Sequence, residues 1–150
     1  MDIVVQDAVL LELEPGPKEE VLAQMARALA AAAPELEPER LLQVLLDREA
    51  LQSTGIGEGV AIPHGKFPGL DRLLATFARS TPGIDFAAVD GQPTHLFFLL
   101  VVPEHSGGQH LKALARISRF FRDASFRKRL MEASSLEAVF EAIGEEDAKF

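Results

Sequence analysis

The sequence predicts an α/β domain, a single-domain sandwich in which helices cover both faces of a mixed sheet. Thr94 to Val102 (T-H-L-F-F-L-L-V-V) is an almost unbroken apolar run between Pro93 and Pro103, the pattern of a central strand buried on both sides. Apolar residues recur at helical spacing both before and after that run. Shorter extended segments lie between the helices, giving about five strands in all. At 150 residues the chain is taken as one domain, residues 1–150, with an ordered core from roughly residue 4 to residue 146.

In chain order, Ala8 to Leu13 (A-V-L-L-E-L) reads as a short strand, punctuated by Pro15-Gly16-Pro17. Pro17 suits the first position of a helix, with Glu19 and Glu20 in its first turn. Val21, Leu22, Met25, Ala28, Leu29 and Ala32 form its apolar stripe, and Pro34 ends it. Pro38 opens a second helix with the stripe Leu41, Leu42, Leu45 and Leu46. Arg72 to Arg79 is a weakly patterned strand, Thr81-Pro82-Gly83 a turn, Ile84 to Phe86 a short extended piece and Asp90-Gly91 a second turn. After the central strand, Ser106 with Gln109 fits a capping box, opening a helix through His110, Leu114, Ile117 and Phe121. Asp123 caps a further helix through Phe126, Leu130 and Met131. Ser134 with Glu137 opens a last one, which Gly144 stops, leaving Glu145 to Phe150 as a frayed acidic tail.

Composition narrows the function. The chain is 47% hydrophobic and 25% charged, ordinary for a folded domain. With no cysteine there is no disulfide framework and no thiolate metal site. A formal net charge of −8 argues against a nucleic-acid binder. The first residues lack the basic segment of a signal peptide, and no apolar run is long enough to span a bilayer, so a cytoplasmic protein without membrane insertion is expected.

Chemistry concentrates in Gln52 to Lys66, Q-S-T-G-I-G-E-G-V-A-I-P-H-G-K. Glycines at 55, 57 and 59 permit close approach to the backbone. Pro63 fixes its own φ and pushes Ile62 towards an extended conformation. A rigid, extended arm presenting His64 at its end is expected. Neutral imidazole carries a nucleophilic nitrogen near pH 7, and His64 is read as accepting and passing on a phosphoryl group. Arg48 lies near the apolar stripe of its helix. Either its stem packs on the core with its head in water, or its guanidinium aims into a site and matches phosphate oxygens. His110, in the first turn of an inward-facing stripe, needs a polar partner, and that helix start favours an anion. His95, inside the central strand, is read as structural and His105 as solvent-exposed.

Other chemistries fit poorly. A dinucleotide-binding loop fails because the third glycine falls one residue early and Pro63 blocks the following helix. A Walker loop fails because Lys66 lies beyond His64 with no Ser or Thr after it. His105 and His110 are off the helical spacing of zinc ligands, and Ser53 lacks the G-x-S-x-G context of a serine hydrolase.

The motif S-T-G-I-G-E-G-V-A-I-P-H-G-K resembles the signature of type-2 IIA domains of the bacterial phosphotransferase system. These include the fructose–mannitol IIA proteins and the nitrogen-related IIA protein. The resemblance covers almost the whole chain. It continues through P-G-I-D-F-A-A-V-D-G-Q-P (Pro82 to Pro93), the apolar strand ending at Pro103, and H-L-x-x-L (His110 to Leu114). It implies that His64 is phosphorylated, on Nε2, by a histidine-phosphorylated carrier of the HPr or NPr type. It implies too that His110 and Arg48 belong to the active site, and that Ser53, Thr54 and Gly55 help position the phosphate. No metal and no cofactor are expected, because the donor is already a phosphohistidine. The segment P-G-I-D-F resembles the nitrogen-related branch, whose phosphorylation state would report metabolic status to regulatory target proteins. Two other readings stand beside it. One is a sugar-specific IIA passing phosphate to a separate IIB component. The other is a binding module, for which the basic run Arg116, Arg119, Arg122, Arg127, Lys128 and Arg129 could serve a partner or simply be solvated.

Overall fold

The computed structural model describes residues 2–150. The helices are α1 (Lys18–Ala32), α2 (Pro38–Leu51), α3 (Gln109–Arg122), α4 (Ala124–Glu132) and α5 (Leu136–Asp147). The strands are β1 (Gly55–Gly57), β2 (Val60–Ala61), β3 (His64–Phe67), β4 (Leu74–Ile84) and β5 (Thr94–Pro103). The apolar run read as the central strand is β5, and it is central: β4 pairs antiparallel along one side, β2 and β3 pair parallel along the other. Val60 pairs with Leu96 and His64 with Leu100, a constant offset of 36 (96 − 60 and 100 − 64). β2 and β3 are therefore one strand in register, interrupted at Ile62-Pro63.

Alternation along β5 splits the core between two faces. Phe97, Leu99 and Val101 pack with Leu22, Met25, Leu29, Leu41 and Leu45 of α1 and α2. Leu96, Phe98, Leu100 and Val102 pack with Ile117, Phe120, Phe121, Phe126, Leu130, Val139 and Ile143 of α3, α4 and α5. The absence of Trp and Tyr leaves phenylalanine to fill the wide gaps. Phe86 meets Phe97 edge-on at 5.2 Å between ring centres, and Phe98 meets Phe121 at 6.0 Å.

Several local expectations are corrected. Ala8 to Leu13 is no full strand: a 3-10 turn at Gln6–Ala8 overlaps its start, and it meets β4 through a bridge at Leu10 to Ala78 and the Leu13 amide on the Arg79 carbonyl. Thr81-Pro82-Gly83 does not end β4. The strand runs through it, and its register on β5 slips between Arg79 and Ile84 instead. Pro17 is the N-cap of α1 rather than its first helical residue. Ser106 does not cap α3, whose N-cap is Gly108 with no side-chain bond. Ser135, not Ser134, caps α5 through the Ala138 amide. α5 continues through Gly144 to Asp147, because the chain end is tied down. Asp147 takes the Arg116 guanidinium at 2.6 Å, and Phe150 packs on Phe120 at 5.8 Å.

Phe97 is fully buried in the centre of β5. Phe97→Ala, which leaves a cavity under α1 and α2, is expected to lower the unfolding free energy by about 3–5 kcal/mol in a urea titration.

Candidate active site

The glycine-rich stretch builds a hairpin rather than an extended arm. β1 and β2 pair antiparallel, and the chain reverses at Glu58-Gly59 with φ of 57° and 75°. The Ile62 amide then donates back to the Thr54 carbonyl at 3.0 Å, closing the hairpin's base. The Pro63 carbonyl accepts from the Leu100 amide at 2.9 Å and returns the chain to the sheet. His64 is the first residue of β3.

Nδ1 of His64 lies 2.8 Å from the Ile62 carbonyl oxygen. A carbonyl only accepts, so Nδ1 carries the proton and, in the neutral ring, the lone pair sits on Nε2. Burial pushes the His64 pKa below its ordinary 6.5, and the electrostatic effects of Arg48 and the neighbouring His110 push the same way. The Ile62 carbonyl and the Glu49 carboxylate oppose them without prevailing. The ring is thus neutral at pH 7 with Nε2 as its nucleophilic atom.

Arg48 reaches the site because α2 lies close on β3. A Cβ on Gly65 would stand 2.4 Å from Val44 Cγ1, so only glycine permits that approach. Arg48 follows Val44 by four residues and shares its face of the helix. Half-buried, it donates from Nη1 to the Gln52 carbonyl at 2.8 Å. His110 arrives from the start of α3. Its Nδ1 lies 3.0 Å from the Gly107 carbonyl, and Ser106 Oγ lies 3.3 Å from the same nitrogen. Arg48, His64 and His110 line one cleft of about 430 Å³, together with Val44, Lys66 and Leu114. A second hollow of about 280 Å³ adjoins it, sharing Arg48, His64 and Leu114. Among the described residues no group of three or more His, Asp or Glu side chains gathers as a metal site.

Ser53, Thr54 and Gly55 line the second hollow, but their polar groups are engaged within the protein. Ser53 Oγ donates to the Phe86 carbonyl at 2.9 Å and accepts from the Gly55 amide at 3.1 Å. The Thr54 amide donates to both Glu49 oxygens at 3.2 Å, and Thr54 Oγ1 donates to Glu49 Oε1. These three residues shape the turn rather than offer free donors. His95 donates from Nδ1 to the Ser80 carbonyl at 3.0 Å, and His105 is exposed. Half of the basic run is in internal ion pairs: Arg116 with Asp147, Arg127 with Glu58, Arg129 with Glu145.

One feature of the surroundings escaped sequence reasoning. Leu51, Ile56, Val89 and Leu111 are 82%, 47%, 67% and 62% exposed. All four line the two hollows around His64. They come from α2, the hairpin, the loop after β4 and α3, so no single sequence window contains the ring they make. The one available signal was Leu111, set beside rather than on the apolar stripe of α3.

Comparison with known proteins agrees with this architecture. Residues 2–146 match the family described as "Phosphoenolpyruvate-dependent sugar phosphotransferase system, EIIA 2". A nitrogen regulatory protein of Bradyrhizobium diazoefficiens is 42% identical over 142 residues, 95% of this chain and 92% of its own length. The fructose-specific EIIABC component of Bacillus subtilis is 35% identical over 146 residues, 97% of this chain but 23% of that larger protein. The crystal structure of the nitrogen regulatory protein IIA-Ntr from Neisseria meningitidis superposes with a TM-score of 0.87 at 34% identity, covering 95% of this chain and 97% of that one. No helix among the described residues is long and apolar enough to cross a membrane.

In an NMR titration the His64 ring is expected to protonate below pH 6.5, and Arg48→Ala should move that pKa upward. Because the folded state disfavours the charged ring, its contribution to stability is complete above 6.5 and is lost as pH falls through the lower folded value. Arg48→Ala should therefore reduce the loss of stability across that acid window.

Proposed function

The chain belongs to the EIIA type-2 family of the phosphoenolpyruvate-dependent sugar phosphotransferase system, and from that premise we propose that His64 is its phosphoryl-accepting residue. The observation that carries this reading is the Nδ1–H bond to the Ile62 carbonyl, which leaves the Nε2 lone pair free in a neutral, half-buried ring. Nε2 attacks the phosphorus of a phosphohistidine on an HPr- or NPr-type carrier. The new N–P bond forms as the donor's N–P bond breaks, and the donor histidine leaves with the bonding pair. The proton stays on Nδ1, donated to the Ile62 carbonyl, and that hydrogen bond supports the positive charge the ring acquires on phosphorylation.

Such transfer is mostly positioning and charge stabilisation. Arg48 presents a fixed positive charge to the equatorial oxygens. The contact of His110 Nδ1 with the Gly107 carbonyl fixes that ring in the cleft that His64 lines, where it takes part in positioning the phosphoryl group. The ring of Leu51, Ile56, Val89 and Leu111 suits a carrier that buries an apolar patch around its own histidine and excludes water from the transfer.

Within the family we assign the chain to the nitrogen-related regulatory branch, supported by the 42% identity to a nitrogen regulatory protein over nearly the whole of both chains. The 35% identity to a fructose-specific component favours a second reading, a sugar-specific IIA that hands the phosphoryl group to a IIB domain. Efficient transfer to a fructose- or mannitol-type IIB domain would decide for the second.

Incubated with phosphoenolpyruvate, enzyme I and either carrier type, the wild-type protein should gain one phosphoryl group by intact mass, mapped to His64. His64→Ala should gain none while keeping its circular dichroism spectrum; normal uptake by that variant would refute the assignment.

His110→Ala should slow transfer without blocking it, by about 100-fold, the scale of losing one transition-state donor. Quench-flow rates equal to wild type would make His110 structural.

A further inference from the structure

An ion pair behind the site, half-buried at Lys18 and buried at Glu49, has no assigned role in the transfer described above. Lys18 Nζ lies 2.6 Å from Glu49 Oε2, and it stands 4.5 Å above the ring of Phe86. Glu49 is buried at the end of α2, next to Arg48. Its carboxylate accepts from Lys18, from the Thr54 amide and from Thr54 Oγ1. Taking a charged pair out of water costs more than the attraction commonly returns, and such pairs are retained where they fix a conformation.

Here the conformation fixed is the one that holds the reactive ring. Thr54 is pinned by Glu49 at its amide and its hydroxyl. The Thr54 carbonyl takes the Ile62 amide at 3.0 Å. The carbonyl of that same Ile62 takes the His64 Nδ1–H at 2.8 Å. We propose that Lys18 and Glu49 are positioning residues which, through Thr54 and the Ile62 peptide, hold His64 in the Nδ1–H tautomer with Nε2 available. Without the pair, the Thr54 turn can rotate and the Ile62 carbonyl loses its fixed direction. The imidazole proton then distributes over both ring nitrogens, and the fraction with a free Nε2 falls. Lys18 supplies the countercharge to the Glu49 carboxylate, whose two oxygens accept from Lys18, from the Thr54 amide and from Thr54 Oγ1.

The inference rests on the phosphoryl-acceptor reading for its consequence, but its structural content is separable. The test is an NMR measurement on the unphosphorylated protein, by ¹⁵N shifts of the His64 ring, for wild type, Glu49→Gln, Lys18→Met and Lys18→Arg. Phosphoryl uptake from the carrier is measured in parallel and normalised to the folded fraction. Glu49→Gln keeps the shape but supplies an amide group where Thr54 Oγ1 and Lys18 need an acceptor. It should raise the Nε2–H tautomer population several-fold, lower the His64 pKa further, and slow uptake at least tenfold. Lys18→Met should do the same to a smaller degree, and it decides the matter should Glu49→Gln fail to fold. Lys18→Arg, which keeps the charge, should restore the wild-type tautomer. If the variants melt earlier but keep the wild-type tautomer ratio and uptake rate per folded molecule, the pair only stabilises the fold and the proposal is overturned. If wild-type His64 takes up no phosphoryl group, the functional reading fails instead, and the tautomer ratio still decides whether the pair positions the ring.

Discussion

The hydrogen bond from His64 Nδ1 to the Ile62 carbonyl is the constraint to which the rest of the site answers. It decides which ring nitrogen has a lone pair, and it exists because one strand is broken for two residues. β2 and β3 keep the same register on β5, yet Ile62 and Pro63 leave the regular ladder between them. Pro63 has no N–H to give to a neighbouring strand, while its carbonyl still accepts from Leu100. The sheet is thus re-entered at once, and His64 is anchored by parallel pairing on the most buried strand of the domain. An imidazole held this way is fixed more firmly than one on a loop.

The electrostatics of the ring follow from the same placement. Burial, Arg48 and His110 all oppose its protonation. In the resting state this keeps the ring neutral. With a phosphoryl dianion on His64, as proposed, the Arg48 guanidinium that disfavoured a proton would become its counterion, and the sign of its effect would reverse. One arrangement therefore serves both ends of a transfer. The close approach of α2 at Gly65 makes it available, since without it the Arg48 charge would be screened by intervening water.

How much of this was legible in the sequence depended on range. β5 could be read because Pro93 and Pro103 bracket an apolar run, and α1 and α2 because prolines mark their ends. Arg48, His64 and His110 could be named from local patterns together with a family resemblance, and they do line one cleft. The cap of α5 falls on Ser135 rather than Ser134, because spacing alone cannot say which of two adjacent hydroxyls reaches the amide. Gly144 was expected to end α5, but Arg116 holds Asp147 from 31 residues away, and tertiary contact overrides a local breaker. Ser53, Thr54 and Gly55 carry donors suited to phosphate. Only the structure reveals that Glu49, the Phe86 carbonyl and the Ser53 hydroxyl already use them. The Lys18–Glu49 pair joins two helix ends, and no local pattern predicts it.

Specificity has to be sought outside the reacting residues. A guanidinium, two imidazoles and a glycine-rich turn fit any phosphohistidine, and they offer no means of telling one donor or acceptor protein from another. Net charge is a weak discriminator too, because an overall −8 acts at long range and is screened within about 8 Å at physiological salt. What differs from place to place around the cleft is the ring of Leu51, Ile56, Val89 and Leu111, carried by four separate elements. Two of those elements are the hairpin and the loop after β4, and they are clipped together by the Gly55 carbonyl with the Val89 amide and by Asp90 with the Glu58 amide. Those two bonds fix Ile56 and Val89 relative to each other. For a protein docking over His64, as proposed, selectivity would rest on matching the apolar shape of this ring.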